Sequence, residues 1–116
     1  MHRAPPLFHR DIRWSNIIRS LHDPREWFLI DWEDASTLPT KAPLHFAREG
    51  HSPHVFSDGH GDEVDIWGVG QLIVESGVVG VSSEWKLLGE WMKGITYPSA
   101  QEALQKLESY QSSQVQ

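Results

Sequence analysis

His9-Arg10-Asp11-Ile12-Arg13-Trp14-Ser15-Asn16, running on into Ile17-Ile18-Arg19 and, past a turn, into Trp27-Phe28-Leu29-Ile30-Asp31, is the stretch on which the fold of this chain turns. The runs 17–19 and 27–30 are rich in β-branched and aromatic residues, and the segment between them carries Asp23-Pro24 as a turn signal, so two short strands joined as a hairpin are expected. The loop ahead of the hairpin then holds Asp11 and Asn16, and Asp31 closes its second strand. Three oxygen-bearing side chains converging in this way suit a hard cation such as Mg²⁺, which prefers carboxylate, carbonyl and water ligands and is usually completed by substrate phosphates. One carboxylate is then left free of metal to orient an attacking hydroxyl.

Downstream, residues 34–61 hold prolines at 39, 43 and 53 and glycines at 50, 59 and 61 with little periodicity, which reads as a long loop with a functional task or as a linker. Asp62 is placed to cap a helix over about 63–76. Its Val64, Ile66, Trp67, Val69, Leu72, Ile73 and Val74 cover nearly the whole circumference, so this helix should be buried rather than amphipathic. After a weak segment, Gly77 to Val81, a second and shorter helix is suggested by Trp85, Leu87, Leu88, Trp91 and Met92. Ser99 followed by Glu102 is a capping-box signature. Ala100, Ala103, Leu104, Leu107 and Tyr110 then recur at helical spacing. Residues 1–7, with Pro5 and Pro6, read as an irregular lead-in, residues 8–110 as the domain, and residues 111–116 as a frayed polar tail. Trp67, Trp85 and Trp91 are expected in the core, with Trp14 and Trp32 flanking the site and packing beneath it. The expected class is mainly α with short β-hairpins.

Composition narrows the function. The 116 residues carry a net charge of -6, spread as +2 over residues 1–30 and -8 over the remainder. A nucleic-acid partner is therefore not expected, because phosphate-backbone binding requires a basic stripe. With no cysteine, disulfides, zinc-thiolate sites and a cysteine nucleophile are excluded. His45, His51, His54 and His60 are irregularly spaced in the loop; they could build a zinc site, but ordinary loop histidines are the simpler reading. No run is long and apolar enough to span a bilayer, and no signal-peptide core opens the chain, so no membrane partner and a cytoplasmic location are the default expectations.

The ordered landmarks resemble the C-terminal lobe of the protein kinase-like superfamily. His9 to Asn16 looks like the His-Arg-Asp catalytic loop with its downstream Asn, and Leu29-Ile30-Asp31-Trp32-Glu33 stands where that family has its metal-binding Asp-Phe-Gly. Asp65-Ile66-Trp67-Gly68-Val69-Gly70 resembles the start of the central helix of the lobe. Ser52-Pro53-His54 stands where Ala-Pro-Glu closes the activation segment, and Pro98-Ser99-Ala100 resembles the start of the last helix. The resemblance implies that Asp11 is the catalytic carboxylate, that Asn16 and Asp31 bind Mg²⁺ and ATP phosphates, and that Arg13 contacts the transferred phosphate. It also implies that His9 packs under the loop, that Arg10 positions the activation segment, and that Asp65 accepts backbone hydrogen bonds from the catalytic loop. In the parent enzyme the activity implied is ATP- and Mg²⁺-dependent transfer to protein hydroxyls.

The sequence also departs from that family. Glu33 replaces the glycine after the metal-binding Asp, and Asp31-Trp32-Glu33 also resembles the Asp-x-Glu of small-molecule kinases of the aminoglycoside and choline type. His54 and Tyr97 stand where the family pairs a glutamate with an arginine. The interval between Asp65 and Pro98 is short, so part of the platform for protein substrates should be truncated. No glycine-rich loop, phosphate-pairing lysine or C-helix glutamate precedes His9. The chain alone is therefore expected to be inactive, and to self-associate or to meet a partner that supplies the N-terminal lobe. The alternatives are a pseudokinase-like remnant acting as a binding module, and a small-molecule kinase fragment.

Overall fold

A computed structural model describes residues 6–76 and 83–114, with side chains as far as Ser109. The hairpin forms where β-branched and aromatic residues flank the Asp-Pro turn: β1, Ile17–Arg19, pairs antiparallel with β2, Trp27–Leu29, in the register Ile17↔Leu29, Ile18↔Phe28 and Arg19↔Trp27. Local polar bonds close the turn. Ser20 N–H donates to Glu26 O at 2.9 Å, Arg25 N–H donates to Asp23 Oδ1 at 2.9 Å, and the Arg19 guanidinium reaches Pro24 O at 2.8 Å. A further β-bridge pairs Phe8 with Ser36 through two 2.9 Å backbone bonds, fastening the residue ahead of His9 to the chain beyond the hairpin. Phe8, the first residue of the domain, is buried, and residues 1–5 of the expected lead-in lie outside the described residues.

Three helices follow: α1, Glu63–Val74; α2, Ser83–Met92; and α3, Ala100–Gln114. The fold among the described residues is thus mainly α with a short β-hairpin. No residue of α1 is exposed, as its all-round apolar pattern requires. Its start differs from expectation. Asp62 is itself helical in backbone angle (φ -63°, ψ -20°) and its side chain caps nothing. Glu63 instead reaches back to accept from Gly61 N–H at 2.8 Å. At α3 the reciprocal cap forms, with Glu102 N–H donating to Ser99 Oγ at 3.1 Å and Ser99 N–H donating to Glu102 Oε1 at 3.3 Å. This helix runs through Gln114, past the point where the polar tail was expected to fray; residues 115 and 116 and the 77–81 segment lie outside the described residues.

The core is small: Ile66 of α1, Leu88 and Met92 of α2 and Ala103 of α3 are buried together, with Val69, Ile73 and Leu107 packed against them. Two glycines set how closely α1 and α2 approach. A Cβ on Gly70 would lie 2.7 Å from Gly89 O, and one on Gly89 would lie 3.0 Å from Gly70 O, so each helix passes over the other at a residue without a side chain. Trp91 departs from the core position expected of it, at 37% exposed, and Trp14, Trp27 and Trp32 are between 45% and 55% exposed. Trp67 and Trp85 are partly buried. No helix among the described residues is long and apolar enough to cross a membrane.

Candidate functional site

The loop carrying Asp11 is gripped from below by α1. His9 N–H donates to Asp65 Oδ2 at 2.9 Å and Arg10 N–H donates to Asp65 Oδ1 at 2.8 Å, so both oxygens of one helical carboxylate hold consecutive loop amides. Burial pushes the Asp65 carboxyl above its ordinary range, and the two amide bonds oppose that shift without cancelling it. Gly68, almost one turn further along α1, lets the loop lie flat on the helix: a Cβ there would meet Ile12 Cβ at 2.8 Å and Ile12 O at 3.1 Å.

His9 is buried beneath the loop. Asp11 N–H donates to its Nδ1 at 3.1 Å, which leaves the proton on Nε2 to be donated to Ile30 O at 2.8 Å. The ring therefore ties the start of the loop to the end of the hairpin, and Trp32 meets its edge with centroids 4.7 Å apart. Arg10 spans the long loop beyond the hairpin, donating from Nε to Asp34 O at 2.7 Å and from Nη1 to Lys41 O at 2.8 Å. His9 packs under the loop as the resemblance implied. Within residues 34–61, Thr40 Oγ1 donates to His60 O at 2.5 Å and Ala42 N–H donates to Asp58 Oδ1 at 2.8 Å, so this segment is folded back on itself without regular structure apart from a 3₁₀ turn at Pro53–Phe56.

Asp11, Arg13 and Asp31 line one cleft of about 570 Å³ together with Glu33, Asp34, His45, Phe46, Ala47 and His51. Asn16 is not on that wall; it is buried behind Asp11, where its Nδ2 donates to Asp11 O at 2.9 Å and to Asp11 Oδ2 at 3.2 Å. With Nδ2 so anchored, Asn16 Oδ1 points elsewhere and has no hydrogen-bond partner among the described residues. Asn16 O accepts from Ile30 N–H at 2.8 Å, which sets the residue before Asp31 directly against Asn16. Asp31 is exposed and has no ion-pair or hydrogen-bond partner among the described residues. An amide oxygen and a carboxylate without protein partners are ligands of the type Mg²⁺ accepts, but Asp31 lines the cleft and Asn16 does not. No group of three or more His, Cys, Asp or Glu side chains among the described residues is arranged to hold a metal by itself. Arg13 lies against Asp11, Nε to Oδ1 at 3.4 Å, and donates to Gly50 O at 3.2 Å.

Among the described residues two non-glycine residues have positive φ, Arg10 at 75° and Asp31 at 62°, one on each side of the Asp11–Asn16 loop. Left-handed backbone at such residues costs on the order of 1–3 kcal/mol each and persists where surrounding contacts dictate it. The contacts are visible at Arg10, whose amide and guanidinium are both engaged. Sequence reasoning did not identify His51 and His45 as parts of the cleft. His51 Nε2 lies 2.9 Å from Asp11 Oδ1, and His45 Nε2 lies 2.9 Å from Asp34 Oδ1. Both come from the aperiodic loop, and only the position of His51 just before Ser52-Pro53 could have drawn attention to it.

No protein-family model matches the chain. Over 81 residues, 66% of the chain, it is 43% identical to Crinkler effector protein 8 of Phytophthora infestans. The match covers 13% of that protein's length. No solved structure matches the chain.

Proposed function

We propose that this chain is the catalytic-loop portion of a protein kinase-like phosphotransferase, a C-terminal lobe that uses ATP and Mg²⁺ with protein hydroxyls as acceptors in the full-length parent. The observation that carries this reading is the pair of strained residues, Arg10 and Asp31, that bracket Asp11 and Asn16. Strain at these positions supports a role for the loop beyond turning the chain. Asn16 through Oδ1 and Asp31 through its carboxylate would hold the metal, which when bound neutralises charge on the phosphates. Ile18 and Phe28 lie opposite each other in the hairpin, half exposed, and offer an apolar surface for a nucleotide base.

In the proposed reaction the acceptor hydroxyl oxygen bonds to the γ-phosphorus while the bond to the β–γ bridging oxygen breaks, and ADP leaves. The hydroxyl proton passes to Asp11 Oδ2, and Arg13 meets the charge on the transferred group. Asp31 and the hairpin face are open to solvent, and catalysis of this kind depends on an enclosed, preorganised site. For these 116 residues alone we therefore expect weak Mg²⁺-dependent ATP binding without measurable transfer.

The relative's printed name, an effector, leaves room for a second reading as a binding module. That reading is favoured by Asp11 Oδ1, which already faces two donors. A radiolabelled-ATP assay with generic protein substrates, run beside Asp11→Asn and paired with a binding measurement, separates the possibilities. Binding lost in Asp31→Ala with no transfer supports the proposal. Transfer that disappears in Asp11→Asn would show that the open site suffices. Absence of any Mg²⁺-dependent binding would overturn the phosphotransfer reading.

A further inference from the structure

His51 is buried at the edge of the cleft that Asp11 and Arg13 line. Its ring stacks on Phe46, centroids 4.2 Å apart and planes 20° from parallel, and both of its nitrogens meet oxygen. Nδ1 lies 2.7 Å from Ala47 O. A carbonyl oxygen offers no proton, so Nδ1 carries the hydrogen of that bond. Nε2 lies 2.9 Å from Asp11 Oδ1. The imidazole and the carboxyl group are therefore within hydrogen-bonding distance through Nε2 and Oδ1.

The residues around this contact hold it in place. Arg13 donates to Gly50 O at 3.2 Å while its Nε approaches Asp11 Oδ1, so the turn carrying His51 and the loop carrying Asp11 are joined by two adjacent side chains. Gly50 has φ of 79°, and a Cβ on it would lie 2.4 Å from Arg13 Nη2. The turn is thus shaped to admit Arg13, and its next residue delivers the imidazole. The two Asp11 oxygens are consequently unequal. Oδ1 is occupied by His51 and approached by Arg13, whereas Oδ2 has one long bond, 3.2 Å from Asn16 Nδ2.

We propose that His51 is a positioning residue for Asp11: by holding Oδ1 through Nε2, it fixes the carboxylate plane and presents Oδ2 to the acceptor hydroxyl. The clamp stands on geometry alone; its purpose rests on the phosphotransfer reading of Asp11.

The test is NMR of the ¹³C,¹⁵N-labelled 116-residue chain at one fixed pH. It observes the histidine ring nitrogens and the Asp11 side-chain carboxyl carbon, before and after addition of Mg²⁺ and ATP. The expected result is a His51 Nε2 signal that carries the signature of a hydrogen bond to Asp11 and changes in Asp11→Asn. His51→Ala should move the Asp11 carboxyl signal. Phe46→Ala, which removes the stacking partner and keeps the imidazole, should move it less, and His51→Gln, whose amide can still donate to Oδ1, should restore most of it. Should His51→Ala fail to fold, the wild-type ring and the Gln variant still decide the question. An Nε2 signal without that signature, or an Asp11 signal indifferent to residue 51, overturns the clamp. A locked His51 that does not respond to Mg²⁺ and ATP instead overturns the assignment of Asp11 to phosphotransfer, and with it the clamp's proposed purpose.

Discussion

Removing Asp65 should loosen the Asp11 loop while leaving the helix that carries it intact. The carboxylate accepts from two consecutive amides, His9 N–H at 2.9 Å and Arg10 N–H at 2.8 Å. Orphaning a buried donor costs about 1–3 kcal/mol, so Asp65→Ala, which strands both, would lose about 2–6 kcal/mol if nothing compensated. Compensation exists, because burial of the charged group is itself unfavourable and is relieved when the carboxylate goes. The net loss should be about 1–3 kcal/mol, the cost of a single stranded donor. Asp65→Asn keeps one acceptor but turns an NH₂ toward the other amide, and should lie between wild type and Ala.

Amide exchange of residues 9–16 reads this out, at roughly tenfold faster exchange per 1.4 kcal/mol. The pH dependence adds a second signature. The folded-state carboxyl titrates above the ordinary value of 3.8, so between those two values the folded protein holds a proton that the unfolded chain has released. Stability from this group is therefore greatest below pH 3.8, falls as pH rises through the raised folded value, and is flat above it. Asp65→Asn should lack that slope. Unchanged protection of residues 9–16 in a folded Asp65→Ala protein would refute the reasoning.

Gly68→Ala places a methyl 2.8 Å from Ile12 Cβ and 3.1 Å from its carbonyl oxygen, so the overpacking cost of about 1–3 kcal/mol should outweigh the roughly 1 kcal/mol that alanine gains in helix propensity. Thermal melting should show a lower midpoint, with increased exchange at residues 9–16. Gly70→Ala drives a methyl to 2.7 Å from Gly89 O and should destabilise the α1–α2 crossing by a similar amount, read by chemical denaturation. Ser99→Ala removes one half of the reciprocal cap on α3 and should cost about 1 kcal/mol, measured in the same way.

The elements that proved legible in the sequence are those with a local physical cause. The hairpin follows from β-formers around Asp23-Pro24, and α1 from an apolar surface too wide for an exposed helix. The start of α3 follows from Ser99 and Glu102, each of which satisfies the other's backbone amide. The grip of Asp65 on the loop and the burial of His9 are expected only through the family resemblance, since neither has a local signal in the sequence. Other features depend on encounters between segments distant in sequence. The Phe8–Ser36 bridge and the His51–Asp11 contact have no periodic or compositional signal, since a loop's path is set by what it meets. Hydrophobicity likewise overstated the burial of the tryptophans. An indole is buried only if another element lies across it, and Trp91, expected in the core, is 37% exposed. At Asp62 residue type suggested a cap, but the helical backbone of Asp62 left that task to Glu63.

The central claim is that Asn16 and Asp31 form a magnesium–nucleotide site beside Asp11. Calorimetric titration of the 116-residue chain with ATP, in the presence and absence of Mg²⁺, tests it most directly when repeated on Asp31→Ala, Asn16→Ala and Leu104→Ala. Leu104 is exposed on α3 and serves as the control. The account predicts weak binding that requires Mg²⁺, disappears in the Asp31 and Asn16 variants and survives in the Leu104 variant. No binding in the folded wild-type chain, or binding that is indifferent to Mg²⁺ and to the loss of Asp31, would contradict it.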